Sequence, residues 1–184
     1  SSENMTTAFL KSVEYGCLPN VSWYCSTYND ALDATYYYDK NINDKVYPAS
    51  ITKIITAILA LENLDLTQNI VATKTALKIP WDSSSAYIKE GEILTVDELL
   101  HCLLIYSGND AANVLAEAVS GNVTDFVKLM NDKAKELGCT GTNFVNAHGY
   151  SDDNHYTTAL DIAKIFNYCI QNEKFVEIIS TKLY

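Results

Sequence analysis

Beyond Pro48 the apolar positions fall at helical spacing, with one marked interruption. The stretch IITAILALENL after Lys53 is apolar almost throughout, which predicts an apolar helix with Ser50 at its first turn. In TVDELLHCLL, residues Leu99, Leu100, Leu103 and Leu104 share a face. Thr95 and Glu98 have the spacing of a reciprocal cap, so a helix is expected to start there. Another begins near Asp110, carrying Ala111, Val114, Leu115 and Ala118 inward. A further amphipathic helix spans 124–137, with Phe126, Val127, Met130 and Leu137 inward, Met130 as core filler and Gly138 as its stop. Thr158 opens a helix to about Gln171, supported by Asp161 in its first turn. The VEIIS run after Phe175 fits either a short helix or the lead into a strand.

The interruption lies between Asn69 and Leu94. There the pieces IVAT and AYIKE have strand character, and Gly91 reads as a turn before the Thr95 helix. They predict a small peripheral hairpin. Trp81 is expected as a packed aromatic on the loop between them, with contact to a ligand by Trp81 and Ser83 to Ser85 as the alternative. Before Pro48 the pattern is weaker: a helix over 6–15, then a tyrosine-rich run, YYYDKNINDKVYP, with a strand expected over 35–38.

The chain has 184 residues, 48% of them hydrophobic, enough for one domain with a sizeable core. The 23 acidic residues outnumber 13 lysines and there is no arginine, giving a net charge of −10. This disfavours nucleic acid as a partner and leaves anion recognition to lysine, hydroxyls and backbone N–H groups. No apolar run reaches the roughly 20 residues of a membrane-spanning helix. Of the five cysteines, Cys17 and Cys25 have a spacing that can close a loop, while Cys102 and Cys169 fall on apolar helix faces; no structural disulfide is expected. His101 and Cys102, adjacent on a helix, point about 100° apart and make a poor catalytic pair. His148, Asp152, Asp153 and His155 lack a tight metal-ligand spacing, so neither a metal nor a cofactor is expected.

Candidate chemistry begins at Ser50 and Lys53. Three residues apart at a helix start, they share a face, so the Lys53 amine can lie over the Ser50 hydroxyl. A desolvated lysine can lose its proton near neutral pH and then accept the serine proton. The Ser50 N–H, free at the helix start, can point at a developing oxyanion. The bland reading is a plain helix start with Lys53 in solvent. The tripeptide Ser107, Gly108 and Asn109 sits between two predicted helices, where a hydroxyl and an amide can reach a neighbouring helix. The same tripeptide recurs at Ser120, Gly121 and Asn122, and Ser2 to Asn4 also fits Ser-x-Asn. Turn and cap preferences explain all three equally well.

Order decides between them. PASITKIITAILALENL, then YSGNDAANVLAEAVSG, then FVKLMNDKAKELGCTGTNFVNAHGYSDDNHYTTALDIAKI resembles the D-alanyl-D-alanine carboxypeptidases among the low-mass penicillin-binding proteins, over residues 48–170. The resemblance implies an α+β fold: mainly the helical subdomain of the β-lactamase/transpeptidase-like fold, with a reduced or incomplete antiparallel sheet in a single domain over 1–184. It implies Ser50 as the acylated nucleophile, Lys53 as its base, Ser107 in proton transfer and Asn109 as a substrate ligand. Peptidoglycan stem peptides and β-lactams are the implied partners. An exported enzyme of the cell envelope, with its leader removed, is the implied setting. NAHGY and DNHYTT become loops bracing the helices and the cleft rim.

The family completes its site with Lys-Thr-Gly or Lys-Ser-Gly after the asparagine element. The 184 residues contain neither; Lys74, Thr75 and Ala76 come nearest, but precede Ser107. The expectation is therefore a chain truncated before that element and impaired in turnover, since one lost oxyanion donor costs about 3 kcal/mol. Two alternatives stand beside the carboxypeptidase. A serine β-lactamase needs a deacylating base, and no glutamate occurs in NFVNAHGYSDDNHYTT. A non-catalytic helical module, or part of a split protein, would show uncovered apolar helix faces and self-associate, or lack a complementary C-terminal segment.

Overall fold

The computed structural model describes Trp23–Ser26, Tyr36–Lys40 and residues 41–181. Strands β1 (Trp23–Ser26) and β2 (Tyr36–Lys40) pair antiparallel, with a register irregularity at Cys25/Ser26. The expected strand at 35–38 is thus present, displaced toward Lys40. The expected helix at 6–15 lies outside the described residues.

A 3-10 turn, Ala49–Thr52, leads into α1 (Lys53–Asn63). Ser50 therefore lies in the tighter turn just before the α-helix rather than in its first turn. α1 is the hub. Ile55, Ala57, Ile58, Leu59 and Ala60 are at most 2% exposed, and the helix packs against α2 (Val96–Leu104), α3 (Asn109–Ser120), α4 (Val123–Glu136), α5 (Ala159–Cys169) and α6 (Glu173–Ile179). Truncating one of these large side chains to alanine costs about 2–5 kcal/mol. The VEIIS run belongs to α6, a helix capped by Asn172.

The caps follow the sequence. Thr95 and Glu98 close both halves of the capping box on α2. Asn122 and Thr158 cap α4 and α5 by accepting from the N–H of Asp125 and Asp161. On α4 the inward face is Phe126, Met130 and Ala134, and Gly138 follows with φ of 73°.

The hairpin differs from expectation in its second strand. β3 (Asn69–Val71) pairs with β4 (Ile93–Thr95), and the AYIKE piece is not a strand. Asp110 accepts the N–H groups of Ala86 and Ile88, and Tyr87 has φ of 59°, so this backbone follows a carboxylate instead of a ladder. Trp81 is not packed either; it is 96% exposed. The stretch Trp81 to Tyr87 is held by polar contacts, which an apolar pattern does not reveal. Among the described residues, the exposed large apolar side chains lie on loops, the hairpin and the 3-10 turn, none on an α-helix face. No helix among them is long and apolar enough to cross a membrane. Cys102, Cys139 and Cys169 are free thiols.

Candidate active site

Three segments converge where α1 begins. The Lys53 side chain is 2% exposed. Its Nζ donates to Asn109 Oδ1 at 2.7 Å, to the His148 carbonyl at 2.9 Å and, more weakly, to Ser50 Oγ at 3.4 Å. The solvated-lysine reading is thereby excluded. Ser50 itself is exposed, while the amine lies buried beneath it. Burial pulls the Lys53 ammonium down to about 8, against the opposing pull of the Asp110 charge. At that value about a tenth of the amine is free base at pH 7, poised for proton transfer.

Asn109 opens α3 and is 5% exposed. With Oδ1 taken by Lys53, its amide nitrogen is left to donate. Ser107 is half-buried on the turn between α2 and α3, and has φ of 56°. A non-glycine residue in the left-handed region costs about 1–3 kcal/mol and is retained where the surroundings force it. Ala49, one residue before Ser50, has φ of 47°. Left-handed residues thus flank both halves of the site.

The third segment, residues 146–150, supplies a contact that residue patterns did not disclose: a backbone carbonyl on Lys53. Its placement has identifiable causes. Thr56 Oγ1 donates to the Ala147 carbonyl at 2.6 Å, and Asn146 Oδ1 accepts from the N–H groups of His148 and Gly149. Gly149 has φ of 88°, and a Cβ there would lie 1.7 Å from the Ala49 carbonyl oxygen. Only glycine lets this loop seat against the Ser50 turn. The string NAHGY pairs a glycine with an asparagine three residues earlier, whose side chain accepts the glycine N–H and turns the chain.

His155 fixes the other flank. Its Nδ1 accepts the Val145 N–H at 3.1 Å, so in the neutral ring Nε2 carries the proton and donates to Thr52 Oγ1, 2.8 Å away. Burial pulls the imidazoles of His148 and His155 down to about 4, the neighbouring Lys53 charge adding to the effect at His148. Both rings are occupied as neutral braces. The NAHGY and DNHYTT strings therefore brace the start of α1, in keeping with the expectation that they brace the helices.

A buried amine clamped by an amide oxygen and a carbonyl, beneath an exposed serine hydroxyl, is suited to acyl transfer. The family model described as D-alanyl-D-alanine carboxypeptidase matches residues 31–183. The chain belongs to the D-alanyl-D-alanine carboxypeptidase family. It is 37% identical over 149 residues to D-alanyl-D-alanine carboxypeptidase DacF of Bacillus subtilis, covering 78% of this chain and 38% of that protein. To the D-alanyl-D-alanine carboxypeptidase of Streptomyces strain K15 it is 31% identical, covering 82% of this chain and 55% of the relative. Among solved structures, penicillin binding protein 5 of Haemophilus influenzae superposes with a TM-score of 0.81 at 29% identity, over 92% of this chain and 52% of that one. The α+β fold is thus that of the penicillin-binding carboxypeptidases. The chain spans about two fifths to just over half the length of these relatives.

Proposed function

We propose that this chain carries the nucleophile and base of a serine D-Ala-D-Ala carboxypeptidase acting on peptidoglycan stem peptides. Ser50 Oγ bonds to the carbonyl carbon of the penultimate D-alanine as its proton passes to neutral Lys53. The C–N bond to the terminal D-alanine then breaks, and the leaving nitrogen takes up that proton, a transfer we assign to the Ser107 hydroxyl as relay. Asn109 Nδ2 holds the substrate amide, and water hydrolyses the Ser50 ester to return free enzyme. A penicillin would enter the same way, its ring C–N bond opening to leave a Ser50 ester.

The observation that carries this reading is the Lys53 amine, buried, lowered to about 8 and 3.4 Å from the Ser50 hydroxyl. The names of the relatives support the substrate class. An exported enzyme meeting the cell wall follows from that substrate. The test is intact-mass analysis of the full gene product after penicillin treatment. A single adduct lost in Ser50→Ala is expected; an adduct that survives Ser50→Ala, or none at all, would overturn the assignment.

A further inference from the structure

We propose that Asp110 is a positioning residue for this reaction: its buried carboxylate fastens segment 84–88 onto the Ser107–Asn109 turn and counters the charge of Lys53. The inference rests on Ser50 being the group acylated.

Asp110 is 2% exposed. Its carboxylate accepts from Ser85 Oγ at 2.6 Å and from the N–H groups of Ala86, Ile88 and Ala111 at 2.9, 3.1 and 3.0 Å. All of these groups are donors or can act as one, so an acceptor-only carboxylate fits where an amide would turn its own N–H groups toward N–H groups. The Ser84 carbonyl, in turn, accepts the Asn109 N–H at 2.9 Å. Segment 84–88 is therefore stitched to the turn from both sides. The fit is close: a Cβ on Gly108 would lie 2.7 Å from Asp110 Oδ1 and 3.0 Å from the Ala86 Cβ. Asn109, whose side chain takes the Lys53 amine, inherits its position from this clamp.

The same carboxylate acts on the amine through space. Burial favours the neutral form of Lys53, and Asp110 opposes it. Among the described residues, the other titratable group against the amine is His148, a neutral ring on the 146–150 loop. On the α2 side of Asp110 stands the Cys102 thiol, which burial first and then the Asp110 charge push up, so it stays protonated. Asp110 is thus the negative charge that keeps the amine from being lost to burial too early, and its removal must move the titration of Lys53 downward.

The experiment follows acylation of Ser50 by a penicillin across pH 5.5 to 10 in the full gene product. For Asp110→Asn the acid limb moves to lower pH, so the rate at pH 6 relative to the plateau rises at least about threefold, while the plateau falls about tenfold. Ser85→Ala, which loosens the segment but keeps the charge, lowers the plateau a few-fold and leaves the limb in place. If Asp110→Asn does not fold, Asp110→Glu takes its place, expected to lower the plateau without moving the limb. A limb unmoved in Asp110→Asn, or a plateau untouched in Asp110→Glu, overturns the proposal. A wild type that forms no Ser50 adduct fails the reading beneath it, and is told apart by the absence of any profile.

Discussion

The tripeptide Ser-Gly-Asn is used twice in this molecule, and the two copies share little beyond their spelling. At 120–122 the left-handed residue is Gly121, φ 77°, which ends α3 in open space. Asn122 is exposed there and caps α4 by accepting the Asp125 N–H. At 107–109 the left-handed residue is Ser107, and the glycine is the one with a neighbour pressed against it. Asn109 is buried and receives an ammonium. Backbone preference fully explains the second copy. The first bears strain that backbone preference opposes, and strain is kept where another requirement outweighs it.

The sharpest break between the copies is at the group that only the first one holds. Lys53→Ala should lower the rate of Ser50 acylation by about 10³-fold or more, measured by mass spectrometry, with the fold intact by circular dichroism. Asn109→Ala should cost about 10²-fold in the same assay because it unclamps the amine. Asn122→Ala should leave acylation within about twofold and cost about 1 kcal/mol in urea unfolding. Equal effects on acylation in the two asparagine variants would erase the distinction.

The glycines sharpen it further. Gly108→Ala drives a methyl into Asp110 and Ala86, and should reduce both acylation and stability, the latter by about 2 kcal/mol. Gly121→Ala meets no atom within 4 Å, and should cost only about 1 kcal/mol, with acylation unaffected.

The smallest effect expected is a pH dependence on the side of the site away from the tripeptide. His155 titrates near 6.5 when unfolded and at about 4 in the fold, so its neutral form is the one the fold favours. The stabilisation it contributes is therefore present above 6.5 and is lost as pH falls through 4. His148 follows the same sign. Unfolding in urea between pH 7 and pH 4 should show falling stability, with a shallower slope in His155→Gln. A stability that rises on acidification across this window would contradict the neutral-brace assignment.

Where apolar period and caps decide the structure, the chain was legible. The hub helix at 53–63, the Thr95 capping box, the Asn109 helix and the Thr158 cap all lie close to expectation because local chemistry specifies them. Legibility ended where a distant polar group takes command of the backbone. Asp110 reaches back more than 20 residues to hold Ala86 and Ile88, which turned an apparent strand into a pinned loop and moved the hairpin partner to 93–95. Trp81 failed for a related reason, since hydrophobicity predicts burial only when a face is available to bury against. At the site, Ser50, Lys53, Ser107 and Asn109 were implied by the family resemblance, and the structure joins Ser50 and Asn109 through the Lys53 amine. The His148 carbonyl could not be read from the sequence, since any residue offers one, and its position is set by contacts from distant residues: Thr56 on the Ala147 carbonyl and Ala49 against Gly149.

The claim on which these differences depend is that Lys53 is a base held beneath Ser50. It is tested most directly by the pH profile of Ser50 acylation in the wild-type full gene product. The account predicts an acid limb with its midpoint at about 8, where burial places the amine. A midpoint at the ordinary lysine value of 10.5, or a rate independent of pH across this range, would contradict it.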